Sequence, residues 1–296
     1  MDILQIDRTK IIGASDVPAL LGIDPFCSPL MLWSIKTGEV EPKDISDNES
    51  VFWGNKLERQ VSDVFAERHN VKLIAYKKRF IHKTMPYFSC ELDNIIAGTD
   101  TIVEIKTVNA HAWKHWEKQD ELPAKVIAQV MAQMGLAKRK DAWVFCLCGG
   151  QRSVEKYLKF DPEFYVMIEE RVAQFWQMVL DKTPPMAMGL DNEFIVELYP
   201  KHGEQIQKIE EVNDKIGLLQ QVKGSIADLE TQKDELEAGI KQIIGDAAGV
   251  QTSEYLVTWK RQMQTRLDTE AIRAADLYDK YSVQNPIRVL RVRKNK

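Results

Sequence analysis

The stretch ELDNIIAGTDTIVEIKTV, residues 91 to 108, constrains the fold of this chain more than any other part of it. Two apolar runs of strand character, rich in β-branched residues, flank Gly98-Thr99. Gly98 suits the first position of a type II′ turn, which requires φ > 0. With a two-residue loop there, Ala97 pairs with Asp100 and Asp93 falls opposite Glu104, where Cβ atoms of direct partners lie about 5 Å apart. Lys106, two residues further on, shares the face of Glu104. Two carboxylates and an ammonium therefore converge within strands that otherwise read as buried.

Carboxylates held that close repel unless positive charge lies between them. One solution is a divalent cation. Mg²⁺, with Mn²⁺ as a substitute, takes oxygen ligands, usually one or two carboxylates with water and substrate phosphate. Lys106 beside it would orient or deprotonate a water, or stabilise charge on phosphate, and the implied chemistry is metal-assisted phosphodiester hydrolysis. The other solution is a cross-strand salt bridge in which Asp93 and Glu104 both lean on Lys106. Spacing leaves both open, although charges amid buried strands are usually functional or tightly paired.

The remaining chain narrows the class. Its 296 residues suffice for one large domain or two smaller ones. A formal net charge of −4 argues against a general nucleic-acid coat, but the charge is uneven: 204–246 holds ten acids and five bases, and 251–296 five acids and ten bases. No run approaches the roughly 18 apolar residues of a membrane span, and MDILQIDRTK lacks the pattern of a signal peptide, so a cytoplasmic protein without a membrane role is expected. Cys27, Cys90, Cys146 and Cys148 form no CxxC pair and are expected as reduced, buried thiols.

Periodicity gives the organisation. Ser15 or Asp16 caps a first helix, SPLMLWSIKTG forms a second, 41–49 is a polar loop, and a third helix over about 50–69 carries Trp53, Leu57, Val61 and Phe65 at helical spacing. Strands follow at KLIAYKKRFIH, in the two halves of the opening stretch, at DAWVFCLCGG and at SVEKYLKF, with helices over about 123–138 and 162–181. Helices flanking a mixed sheet make an α/β or α+β core. A proline-containing loop is expected over 184–203. From 204 to 245 apolar residues recur at three- and four-residue steps, as a long helix or a hairpin bent at Gly224-Ser225, with coiled-coil character. The end offers a strand (EYLVTWKRQ), a helix (DTEAIRAADLYDKY) and a last strand (IRVLRVR).

Four segments in one order, RTKIIGASDVPALLG, FWGNKLE, ELDNIIAGTDTIVEIKTV and LPAKVIAQVMAQMGL, resemble the YqaJ viral recombinase family, relatives of the lambda-type phage exonucleases in the PD-(D/E)xK nuclease superfamily. The likeness covers roughly residues 8–180. It implies a restriction-endonuclease-like fold over 1–200, leaving 201–248 as a helical extension and 249–296 as a small basic α+β region. It also implies roles. Asp93, Glu104 and the carbonyl of Ile105 match the metal ligands, Lys106 the catalytic lysine, Glu58 the helix-borne glutamate beside the metals, and Gln129 the active-site glutamine. Arg8 and Ser15 match the pair that holds a terminal 5′ phosphate. Asn94 replaces a frequent glycine and Val126 a usual tyrosine.

By this resemblance the protein is a Mg²⁺-dependent 5′→3′ exonuclease on double-stranded DNA ends. It leaves 3′ single strands for phage-type recombination, with a single-strand annealing protein as partner and a homo-oligomer, a trimer, as its assembly. Two alternatives remain: an endonuclease or nickase with the same site, and a non-catalytic DNA-binding or assembly module whose 204–245 seam meets a partner. His111 and His115, four apart, form half of a zinc pattern with no third ligand following. Trp113, Lys114 and Trp116 suit either a strand path or the core.

Overall fold

A computed structural model describes residues 7–42, 44–45, 47–76, 78–112, 116, 122–284 and 287–293. Backbone contacts divide the chain into two units, Met1–Pro200 and Lys201–Lys296. Strands of the first unit are β1 (Ile12–Gly13), β2 (Leu73–Ala75), β3 (Phe80–Ile81), β4 (Phe88–Cys90), β5 (Asn94–Ile96), β6 (Thr101–Val108), β7 (Asp141–Cys148) and β8 (Arg152–Lys159). Its helices are α1 (Val17–Leu20), α2 (Pro29–Thr37), α3 (Glu49–His69), α4 (Ala124–Ala137), α5 (Pro162–Leu180) and α6 (Asn192–Leu198).

The principal sheet runs β2-β5-β6-β7-β8, with β6 and β7 parallel and the other neighbours antiparallel. Parallel neighbours need a crossover, and the chain between β6 and β7 contains α4. Strand alternation sorts β6 into two faces. Val103 and Ile105 pack with Phe145 of β7 and with Val61 and Phe65 of α3. Ile102 joins Ala142, Val144 and Cys146 in the larger core with α1, α2, α4 and α5. The Phe65 and Phe145 rings meet edge-on at 5.5 Å, a geometry that adds about 0.5–1.5 kcal/mol to burial. The fold is thus a mixed sheet flanked by helices.

Local signals end most helices where the sequence places them. Ser28 accepts the Met31 N–H to cap α2, and Gly38 closes it at φ +77°. Asn48 caps α3, and Asn70 ends it in the left-handed region. The opening turn differs from expectation. Thr99 N–H donates to Ile96 O at 3.1 Å, which puts Gly98, at φ +78°, third in the turn, as in type II. The register is nonetheless the expected one, with Asn94 against Val103 and Ile95 against Ile102.

Other expectations are corrected. KLIAYKKRFIH is two strands, β2 in the principal sheet and β3 in a small sheet β1-β4-β3. β1 and β4 are too short to carry a readable period. Asp16, not Ser15, stands at the N-cap position of α1 but makes no capping bond there: it ends a 3-10 turn, Ala14–Asp16, and its side chain accepts the Gly13 N–H at 3.1 Å. The 184–203 segment is not all loop. It contains α6, anchored by buried Asp191, which accepts from Ser28 Oγ and from Met188 N–H.

The second unit contains α7 (Asn213–Ile244), a hairpin of β9 (Gly249–Gln251) and β10 (Leu256–Thr258), then α8 (Thr269–Ala274) and α9 (Tyr278–Tyr281). α7 is continuous for 32 residues, without a bend at Gly224-Ser225. The expected terminal helix divides in two at Asp276, φ +56°. The expected last strand is absent: among the described residues 287–293 has no regular structure. No described helix is long and apolar enough to cross a membrane.

Candidate active site

The charges of β6 face α4. Glu104 is only 2 % exposed, and three donors satisfy it. Lys106 Nζ donates to Oε1 at 2.7 Å, Gln129 Nε2 to the same oxygen at 2.7 Å, and Gln133 Nε2 to Oε2 at 2.8 Å. Lys106 Nζ also donates to Gln129 Oε1 at 3.0 Å, which closes a triangle of strand lysine, strand glutamate and helix glutamine. Asp93 stands just before β5, and its Oδ2 accepts the Ile105 N–H at 2.8 Å. That bond holds the Asp93 carboxylate against the strand that carries Glu104.

Electrostatics follow from this crowding. Burial, then the Glu104 charge, pushes the Asp93 carboxyl well above the ordinary range; the Ile105 N–H and Lys106 offset this only in part. Glu58, on α3, is raised by burial and then by Glu104. Burial alone would lower the Lys106 ammonium, but the Glu104 carboxylate outweighs it and leaves the lysine above its usual value. Lys106 is therefore a cation here and donates protons in hydrogen bonds.

Glu58, Asp93, Glu104, Ile105, Lys106 and Gln129 line one cleft of about 290 Å³. Arg8 and Ser15 do not line it. They line an adjoining cavity of about 150 Å³, which shares the walls Asp93 and Gln129. Lys36, whose side chain is 4 % exposed, secures this wall by donating to Asp16 Oδ2 and to Arg8 O, each at 2.8 Å. The helix beyond Ser15 has only four residues, so a strong N-terminal dipole is not available to that cavity.

The donor set suits a hard cation. Burial, and after it the Glu104 charge, raises the Asp93 and Glu58 carboxyls, and a divalent ion would relieve the like-charge part. Among the described residues no three His, Cys, Asp or Glu side chains are grouped to hold a metal by themselves. The complement would come from backbone carbonyl and water, which is the usual habit of Mg²⁺.

Sequence reasoning missed the roles of three residues here. Gln133, one helical turn beyond Gln129 and 3 % exposed, grips the second oxygen of Glu104 and also donates to Glu91 O at 3.2 Å. The i, i+4 spacing in IAQVMAQ was the available signal. Asn94 has ordinary strand geometry, and its Nδ2 donates to Ser62 Oγ at 2.9 Å, tying β5 to α3. Arg79 lines the cavity of Arg8 and Ser15, and no local pattern marks it.

Val126, in place of a tyrosine, is 4 % exposed and belongs to the core. Trp116 is also core. His111 lies in a short 3-10 turn, while Trp113, Lys114 and His115 fall outside the described residues. Cys90, Cys146 and Cys148 are buried free thiols, as expected, whereas Cys27 is only half-buried. Burial pushes the Cys90 thiol up to about 12.

Solved structures similar to this chain include an alkaline exonuclease (LHK-Exo) from Laribacter hongkongensis, at TM-score 0.49 and 17 % identity over 59 % of this chain and 90 % of that one. A phage related exonuclease from Haemophilus somnus 129PT gives TM-score 0.45 and 14 % identity over 58 % and 96 %. The model of the YqaJ-like viral recombinase domain matches residues 5–140. The protein YqaJ of Bacillus subtilis (strain 168) is 30 % identical over 292 residues, 96 % of this chain and 91 % of its own. With that relative aligned over nearly the whole of this chain and the family's domain matched across the Asp93–Glu104–Lys106 cleft, this chain belongs to the YqaJ-like viral recombinase domain family.

Proposed function

We propose that the protein is a Mg²⁺-dependent deoxyribonuclease that digests duplex DNA from its ends, 5′→3′, and leaves 3′ single strands for phage-type recombination. The observation that carries this reading is the single cleft in which Asp93, Glu104 and Lys106 meet Gln129. Asp93, Glu104 and the Ile105 carbonyl would hold the cation, with Glu58 beside them and Mn²⁺ able to replace it. When bound, the ion supplies Lewis-acid polarisation of the phosphodiester and a more acidic water.

The chain's own residues do the rest. Gln129 and Gln133 fix both oxygens of Glu104, so the carboxylate cannot rotate away from the cleft. Lys106, held as an ammonium, is placed to donate to a phosphate oxygen or to orient water, and such a preorganised donor gains strength where water is excluded. Arg8 and Ser15 in the adjoining cavity suit a terminal 5′ phosphate, and the shared wall of Asp93 and Gln129 would set its distance from the scissile bond. The recombination role calls for a single-strand annealing protein as partner, acting in the host cytoplasm.

The test uses linear duplexes labelled at either end, with and without a 5′ phosphate, in Mg²⁺ or in EDTA, alongside a covalently closed circle. The expected result is Mg²⁺-dependent loss of the 5′ label first, faster from phosphorylated ends, with the circle intact. An untouched duplex that the protein still binds would replace this reading with a DNA-binding module. Cleavage of the circle would replace it with an endonuclease.

A further inference from the structure

α7 exposes an apolar seam that the nuclease reading does not use. Along 219–243 the seam follows a strict three-four alternation. One set of positions holds Leu219, Ile226, Lys233 and Ile240; the other holds Val222, Leu229, Leu236 and Ile243. This is the heptad pattern of a coiled coil, with a single polar residue in its core set. Ile226 is 50 % exposed, Leu236 70 % and Ile243 78 %, although the helix runs unbroken for 32 residues. A lone helix of this kind gains most of its stability from a packed face, so its seam calls for cover.

Charge selects the occupant and its direction. In a parallel pair Lys233 would stack on Lys233, a like-charge layer. The flanking acids Glu230 and Glu237 would meet only Ser225 and Gln232 across the interface. In an antiparallel pair of two copies, Leu219 layers with Ile243, Val222 with Ile240, Ile226 with Leu236, and Leu229 with Lys233. Every layer is then apolar on at least one side. The same register sets Lys223 opposite Glu237 at both ends and Glu230 opposite Glu230 at the centre, where the Lys233 of each copy lies beside the Glu230 of the other and offsets the like charge. Lys233 is free to turn there: its side chain is 61 % exposed and only 3.3 Å from neighbouring Asp234. Glu237 also holds Lys241 at 3.0 Å, and a carboxylate has acceptor sites for both.

We propose that residues 219–243 bind a second copy of this chain as an antiparallel two-stranded coiled coil, in the register that layers Ile226 on Leu236. This goes beyond the proposed enzymatic activity and does not rest on it.

Two full-length single variants, I226C and L236C, carrying different tags, test it under mild oxidation. In the proposed register position 226 meets position 236 of the other copy, while the two 226 positions lie ten residues apart, about 15 Å. That exceeds the roughly 7 Å limit for bridging Cα atoms. A mixed disulfide should therefore form when the variants are combined and in neither alone, with the wild-type chain as control for the native cysteines. Both substitutions replace exposed side chains, so folding should survive. K223E should reduce the cross-link severalfold in that background and K223E/E237K should restore it. Disulfides in either variant alone would overturn the proposal in favour of a parallel pair. No disulfide in the mixture would overturn it in favour of another surface covering the seam.

Discussion

Asp93 and Glu104 belong to one site, yet their neutralisation should act on stability in opposite directions. Glu104 is a satisfied carboxylate: Oε1 accepts from Lys106 and Gln129, and Oε2 from Gln133. In Glu104→Gln one oxygen becomes an N–H₂ group, and donor then faces donor. At about 1.5–3 kcal/mol for each hydrogen bond to a charged group, the loss is about 3 kcal/mol, or about 6–12 °C in melting midpoint for a domain of this size. Asp93 is the reverse case. Burial and the Glu104 charge raise its pKa, so its ionisation costs the metal-free fold. Asp93→Asn keeps an oxygen for the Ile105 N–H and removes that cost.

The sign with pH follows. A carboxyl with a raised folded pKa carries no penalty below its ordinary value of 3.8. The penalty accumulates as pH rises from there to the folded value and is complete above it. In EDTA at about pH 8, Asp93→Asn should melt at or above wild type, and its advantage should shrink toward about pH 5. Glu104→Gln should melt below wild type throughout. A saturating divalent cation should reverse the first result, because only wild type gains about 2.7 kcal/mol at a hundredfold excess over the dissociation constant. If Asp93→Asn loses as much stability in EDTA as Glu104→Gln, or if its advantage ignores pH, the electrostatic account of this cleft is wrong.

Lys106→Ala should lower cleavage by about 10²–10³, the usual loss for a preorganised donor to a transition-state oxygen, with duplex binding retained; wild-type turnover would remove the lysine from the mechanism. Arg8→Ala should slow digestion of 5′-phosphorylated ends and leave 5′-hydroxyl ends unchanged, read from initial rates on the two substrates; equal loss on both would place Arg8 outside phosphate recognition. Gly135→Ala tests the packing of α4 on α5. A Cβ there would lie 2.1 Å from the Tyr165 ring, and a cost of about 1–3 kcal/mol in urea denaturation is expected. Asn94→Ala should cost about 0.5–1.5 kcal/mol in urea denaturation, because Ser62 Oγ loses its donor but still donates to Glu58 O.

Local chemistry made part of this molecule legible in advance. Strand alternation put Glu104 and Lys106 on one face. The register came out as Asn94 against Val103 and Ile95 against Ile102 even though the turn proved to be of another type, because register depends on residue count and not on the turn's dihedral angles. Helix ends at Gly38 and Asn70 were readable because a left-handed residue is a local requirement. The three-four seam of α7 was likewise written in the sequence.

Long-range contacts decided the rest. Nothing near Gln133 in the chain says that its amide meets Glu104, twenty-nine residues away on another element. The separation of β2 from β3 depends on which partner strand each finds, and among the described residues 287–293 pairs with no strand despite its alternating residues. Asp191 holds a segment that composition marks as loop, through a bond to Ser28 across 163 residues. A sequence specifies periods and turns, since these depend on neighbours a few bonds apart. Which charged groups share a cleft, and so what they cost and what they can bind, is set only when sheet and helices pack.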